Sequence, residues 1–270
     1  MQDKQPFVTL NNGIKIPQLG LGVWNIREGK DVIDAVSTAI ETGYRSFDTA
    51  AVYGNEHGVG AAIAQSNIPR EEIFVTTKLW NTYHGYDSAL GEFEKSRQEL
   101  GLEYIDLYLI HWPVSPPKVI AETWWAFEKL LSDGLVKAIG VSNFSRQNLD
   151  DLLSTSEIPP AVNQIELHPY LNQKQLRDYC DKLNIHVESY SPIMRAGIVL
   201  DDPAINKIAK KHDRTPAQVI LRWHIQHGLI VIPKSADPGR IKENFGIFDF
   251  ELAKYELNEI DSLDRSRQYN

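Results

Sequence analysis

Cysteine is almost missing from this sequence: Cys180 is the only one in 270 residues. A lone cysteine excludes an intrachain disulfide and leaves no CxxC pair for redox or zinc chemistry. It lies in the helical-looking stretch LRDYCDKL, where a bystander is expected. No HExxH or other Cys/His spacing suggests a metal centre. Long apolar runs are also absent, and none approaches the roughly 20 residues that span a bilayer. The opening MQDKQPFVTL has no apolar signal-like core. Basic runs are lacking, and the formal charge is −8. Nucleic acid and anionic membranes are therefore not expected as partners. Together these absences place the expected protein in the cytoplasm.

What the sequence has is rhythm. Short apolar runs alternate with longer amphipathic segments. The runs are QLGLG (18–22), RSFDT (45–49), IFVTTK (73–78), IDLYLIH (105–111), VKAIGVSN (136–143), AVNQIEL (161–167), HVESYS (186–191) and LIVIPKS (229–235). Several are continuous rather than alternating, as parallel strands covered on both faces require. Between them, helical spacing predicts helices that end near Gly43, Gly101 and Gly134. Further helices follow in SRQNLDDLLSTS and NQKQLRDYCDKLN. Two more begin at the caps Asp202 and Thr215, each followed by proline. DPGRIKENFG and AKYELNEIDSL complete the set. Strands alternating with helices give a parallel α/β fold, and a barrel or a doubly wound sheet would both fit. FVTLNNGIKIP reads as a hairpin around the tight-turn pair Asn12-Gly13, suited to closing the bottom of a barrel. No linker or low-complexity tract interrupts the chain, so one domain over residues 1–270 is expected.

In a barrel, a site lies at the C-terminal strand ends. Those ends carry Asp48 with Tyr53 in the next loop, Lys78, and His111. They also carry Ser142 and Asn143, Gln164, Tyr190 and Ser191, and Lys234 and Ser235. Each alone has a plain explanation as a turn, a cap, a packed ring or a solvated cation. Together the first four make an acid–base set. A phenol has a pKa of about 10, and a nearby ammonium favours its ionised form. Lys78 can act so on Tyr53. A buried lysine needs a counter-ion, which Asp48 supplies. His111 can donate a hydrogen bond to a carbonyl oxygen. The set suits protonation of an oxygen as a carbonyl becomes an alcohol. No activated serine or cysteine suggests hydrolysis.

The motifs GYRSFDTAAVYGNE, VTTKLW, DLYLIHWP, IGVSNF, NQIELHP and VIPKS with RIKEN resemble those of the aldo-keto reductases, in order over nearly the whole chain. The similarity extends to bacterial and protozoal members that act as diketogluconate reductase, methylglyoxal reductase and prostaglandin F synthase. The resemblance implies a (β/α)8 TIM barrel, a monomer, and NADPH as reductant. It makes Asp48, Tyr53, Lys78 and His111 the catalytic tetrad, with Tyr53 the proton donor. Around the cofactor it places Gly22, Val23 and Trp24. Ser142, Asn143 and Gln164 would hold the carboxamide, with Tyr190 stacked on the nicotinamide and Ser191 and Ile232 nearby. Lys234, Ser235 and Arg240 would hold the 2′-phosphate, with Glu243 and Asn244 near the adenine. A Rossmann GxGxxG is absent; GLGVW lacks its spacing. Asp237, in KSADPGR, departs by setting an acid beside the phosphate site, so some NADH use is expected. Trp24, Trp80 and Trp112 would wall the substrate pocket, while Trp124 and Trp125 would pack on a helix. Short loops imply an open, permissive pocket for small aldehydes, α-dicarbonyls or keto-sugar acids, with a prostaglandin endoperoxide as an alternative substrate. Rival readings are a cofactor-binding regulatory protein with little turnover and a metal-dependent barrel hydrolase.

Overall fold

The computed structural model describes residues 5–266. Two strands, β1 (Phe7–Thr9) and β2 (Lys15–Pro17), pair antiparallel. Eight more form one parallel sheet in chain order: β3 (Leu21–Gly22), β4 (Ser46–Asp48), β5 (Phe74–Leu79), β6 (Ile105–Ile110), β7 (Val136–Ser142), β8 (Val162–Glu166), β9 (His186–Tyr190) and β10 (Ile230–Ile232). Parallel bridges Leu19↔Val231 and Gly22↔Lys234 join the first of these to the last. The sheet therefore curls on itself, and of the two α/β arrangements the sequence allows, the barrel is the one formed. Seven of the eight strands fall within the expected runs, and β5 passes the end of its run by one residue, Leu79.

Helices cover the outside: α1 (Lys30–Thr42), α2 (Glu56–Gln65), α3 (Tyr86–Leu100), α4 (Pro117–Ser132), α5 (Arg146–Leu153), α6 (Lys174–Lys182), α7 (Pro203–His212), α8 (Pro216–Gln226), α9 (Pro238–Phe245) and α10 (Lys254–Asp261). Asp202 caps α7 through the Ala204 N–H, and Thr215 caps α8 in a reciprocal box with Gln218, as expected. The apolar stripes of these helices meet the outward side chains of the strands. Trp124, Phe127, Tyr108, Phe47 and Trp223 are buried in that seam. Each fully buried large apolar side chain contributes about 1.5–3 kcal/mol. This seam, more than helix propensity, holds the outer ring in place. Trp125 instead lies 44% exposed, its indole N–H donating to the Thr155 carbonyl.

α2 is absent from the helices expected from periodicity. Gly58 and Gly60 lower its intrinsic propensity, yet packing demands them. A Cβ on Gly60 would lie 2.0 Å from the Leu100 carbonyl oxygen at the end of α3. The hairpin also differs in detail. Its loop has three residues, Asn11 to Gly13, with Gly13 left-handed at φ 85°. The extra residue turns Asn11 and Asn12 toward the strand starts, where they donate to the Pro160 and Lys137 carbonyls. Leu10 and Ile16 join Phe74, Leu107, Leu109, Ala138, Val162 and Ile230 in a separate apolar cluster. The hairpin thus plugs the N-terminal end of the barrel and leaves the C-terminal end open.

Candidate active site

Strand register sets the first pair. Asp48 lies opposite Thr76, two residues before Lys78 on β5. Alternate strand residues share a face, so Asp48 and Lys78 both enter the barrel. Lys78 Nζ is 2.6 Å from Asp48 Oδ1 and donates to the Thr49 carbonyl at 2.8 Å. The lysine side chain is wholly buried. Burial works against its ammonium, but Asp48, Tyr53 and Glu188 outweigh it and hold Lys78 above the usual lysine range.

Tyr53 ends one short helical turn after β4, and Gly54 reverses the chain at φ 63°. Buried side chains fasten this loop. Asn55 accepts from the Thr49 hydroxyl at 2.7 Å and donates to the Val23 and Ile26 carbonyls. Glu56 accepts from the Thr77 and Ser96 hydroxyls. The Tyr53 ring has Lys78 Nζ 5.1 Å from its centroid and His111 edge-on at 5.7 Å. The expected lowering of the phenol's pKa is corrected by the structure. Burial raises it most, Lys78 draws it back only in part, and Asp48 pushes it up again. Tyr53 is therefore held as a phenol.

His111 follows β6, with the Trp80 ring 5.2 Å and the Trp112 ring 6.5 Å away. Burial first, and then the charge of Lys78, lower its pKa to about 3. The imidazole is neutral near pH 7, with one N–H to donate and one nitrogen to accept. Its Nδ1 is buried without a partner among the described residues. The ring holds hydrogen-bonding capacity that the protein does not use.

Across the mouth, Asn143 adopts φ 64°, which turns its amide inward. Asn143 Nδ2 donates to the His111 carbonyl and the Ser142 hydroxyl, and Tyr190 Oη donates to Asn143 Oδ1 at 2.8 Å. The Ser142 hydroxyl donates to the Gln164 carbonyl. Gln164 Nε2 donates to Asp48 Oδ2 at 2.8 Å and to Glu188 Oε2 at 2.7 Å. Glu188 was not among the expected site residues. Strand alternation could have found it, since it lies two residues before Tyr190 and shares its face.

These groups floor a cleft of about 490 Å³. Asp48, Tyr53, His111, Ser142, Asn143 and Gln164 all reach it. Gly22, Trp24, Trp80, Trp112, Tyr190, Ser191, Ile232 and Lys234 line it, and Asn25 and Val52 join them. Lys78 lies beneath the floor. Val23 is buried away from the cleft; its backbone N–H donates to the Asp48 carbonyl and its carbonyl accepts from Asn55. Ser235, Arg240, Glu243 and Asn244 are not among the cleft's lining. Glu243 accepts from the Thr215 hydroxyl at 2.7 Å, and Asn244 is buried. Asp237 turns its carboxylate onto the N-terminus of α9, accepting from the Arg240 N–H at 2.8 Å. An amide-bearing aromatic ring fits this cleft. Gln164 and Asn143 offer amide groups, Tyr190 a flat face, and Lys234 a cation toward the exit. Among the described residues no group of three or more His, Cys, Asp or Glu could hold a metal ion. No helix among them is long and apolar enough to cross a membrane.

Comparison with known proteins agrees with this geometry. The Aldo/keto reductase family model matches residues 18–265. A 9,11-endoperoxide prostaglandin H2 reductase of Trypanosoma cruzi is 50% identical, covering 97% of this chain and 92% of its own. A glyoxal reductase of Bacillus subtilis is 49% identical, covering 97% and 94%. A crystal structure of a Gox0644 variant in complex with NADPH superposes with a TM-score of 0.94 at 44% identity, covering 99% and 97%.

Proposed function

The chain belongs to the aldo/keto reductase family of NADP(H)-dependent oxidoreductases, and on that premise we propose that it reduces small aldehydes and α-dicarbonyls to alcohols with Tyr53 as proton donor. The observation that carries this reading is the buried Asp48–Lys78 pair beneath a phenol, with a neutral imidazole beside it on one cleft. When bound, NADPH supplies the hydride for the carbonyl carbon. The chain supplies the rest. His111 donates a hydrogen bond to the carbonyl oxygen and sets its direction. Tyr53 gives its phenolic proton to that oxygen as negative charge builds there. Lys78 stabilises the phenolate left behind, and Asp48 keeps the ammonium charged. A phenol with a raised pKa keeps its proton until the alkoxide forms, which suits reduction.

Ser142, Asn143 and Gln164 would hold the carboxamide of the cofactor, with Tyr190 against its ring. Lys234, Ser235 and Arg240 would meet the 2′-phosphate. The Gox0644 complex supports NADPH as the cofactor. Asp237 weakens the preference for the phosphate, so NADH is used as a poorer substitute. Aromatic walls and an open mouth favour small carbonyls, and the Bacillus relative acts on glyoxal. The Trypanosoma relative acts on a prostaglandin endoperoxide, which makes that the second substrate to assay.

The test is Tyr53→Phe. NADPH oxidation with methylglyoxal or phenylglyoxal should fall by a factor on the order of 10² to 10⁴, the usual contribution of a positioned acid. NADPH binding, followed by fluorescence, should persist. Unchanged turnover would remove Tyr53 from the reaction.

A further inference from the structure

Glu188 brings a carboxyl group to the centre of the barrel, and nothing in the proton transfer above uses it. Its side chain is fully buried on β9, opposite Gln164 on β8 and Ile230 on β10. Oε2 accepts from Gln164, while Oε1 is buried with no hydrogen-bond partner among the described residues. The charged and titratable groups that face it are Asp48 from β4, Lys78 from β5 and Tyr53 from the loop after β4. Ile230 closes the β10 side. If ionised, Glu188 would place a second negative charge beside Asp48, with one ammonium to balance both. It would also leave a charged oxygen dry and unpaired, which costs far more than a neutral one. Burial foremost, and Asp48 next, raise its pKa to about 8.

We propose that Glu188 is a positioning residue for carbonyl reduction, acting in its protonated form to fix the Gln164 amide and leave Asp48–Lys78 as the only charges beneath Tyr53. The proposal rests on the reductase reading above. Gln164 Nε2 has two hydrogens, and Asp48 and Glu188 take both. A rotated amide would set its oxygen against the Asp48 carboxylate, which has no hydrogen to give. The Gln164 oxygen is therefore the end left for an N–H in the cleft. Loss of the Glu188 proton at alkaline pH adds a negative charge that raises the Tyr53 pKa further. The phenol then gives up its proton less readily, and reduction slows.

Two variants separate this role from simple packing. Glu188→Leu removes the acceptor for Gln164; kcat/KM for phenylglyoxal with NADPH should fall about tenfold or more. Glu188→Gln keeps the acceptor and should restore most of that loss. Wild-type kcat/KM should decline above about pH 8, and that limb should flatten in Glu188→Gln. Two readouts need no cofactor. Infrared difference spectra, wild type minus Glu188→Gln near pH 6, should show the C=O stretch of a protonated carboxyl. Melting temperatures should separate as pH rises from about 4.5 to 8, because an acid whose folded pKa is raised costs stability across that window and glutamine does not. The proposal is overturned if the carboxyl band is missing near pH 6, if the alkaline limb is unchanged in Glu188→Gln, or if Glu188→Leu turns over normally. A wild type that reduces no carbonyl would refute the reductase reading instead, and the spectra and melts would still report the state of Glu188.

Discussion

Breaking the Asp48–Lys78 pair from each side should give opposite pH dependences. Lys78 has two partners, Asp48 and the Thr49 carbonyl, and no exposure to water. Asp48→Asn leaves a buried ammonium facing only neutral acceptors, the Thr49 carbonyl and the new amide oxygen, in place of its carboxylate. Lys78→Met leaves Asp48 with only the Gln164 N–H and with Glu188 close by. Removing one member of a buried ion pair costs about 3–5 kcal/mol. Replacing both members is often nearly neutral, so the double variant should lie within about 1 kcal/mol of wild type. The implied coupling is about 5 kcal/mol or more, above the roughly 0.5–3 kcal/mol usual for residues in contact. The slopes follow from the signs. With its partner gone, Lys78 has a depressed folded pKa, so Asp48→Asn recovers stability as pH rises. Asp48 without Lys78 has a raised one, so Lys78→Met recovers as pH falls. Urea denaturation of the four proteins between about pH 5 and 9 measures both effects. Additive costs with parallel slopes would refute the view that these are two charges sharing one dry site. Turnover should be lost in the double variant however stable it is, because Tyr53 then has no cation beneath it.

Two further perturbations follow from the outer structure. Asp237→Asn keeps a good helix cap on α9 and removes an exposed charge worth about 1 kcal/mol at most. The ratio of kcat/KM for NADPH over NADH should rise about threefold to fivefold; an unchanged ratio would clear Asp237 of any part in cofactor choice. Gly60→Ala drives a Cβ into the Leu100 carbonyl, 2.0 Å away, and should cost about 3 kcal/mol or more, lowering the melting temperature by about 6–12 °C. Gly91→Ala in α3, with nothing within 4 Å, should instead gain about 0.5–1 kcal/mol. A destabilised Gly91→Ala would show that propensity does not govern that face.

The barrel strands were legible because both faces of each are buried, which writes continuous apolar runs into the chain. Proline after Asp202 and Thr215 marked two helix starts for an equally local reason. α2 was hidden because Gly58 and Gly60 answer a tertiary demand, the close approach of α1 and α3, that no local spacing expresses. The cleft residues were legible from their places at strand ends: Asp48, His111, Ser142, Asn143, Gln164, Tyr190 and Lys234 meet on one cleft, with Lys78 beneath it, while Val23 and the residues after Lys234 lie off it. Glu243 shows why the rest was not: its partner, Thr215, lies 28 positions earlier, on the cap of another helix. The direction of the Tyr53 shift was equally out of reach. Whether burial or Lys78 prevails depends on how much water reaches the ring, which the order of residues does not state.

The apolar plug at the bottom of the barrel has a consequence for supply. Leu107, Ala138, Val162 and Ile230, sealed by Leu10 and Ile16, form a dry floor under the polar layer. That floor contains no group able to pass a proton. Under the chemistry proposed here, each turnover leaves Tyr53 a phenolate that must be refilled. The open route for the refill is the mouth, the same opening that admits substrate and releases alcohol. Recharging the acid and exchanging the ligand therefore share one gateway, and the barrel works as a vessel with a single port.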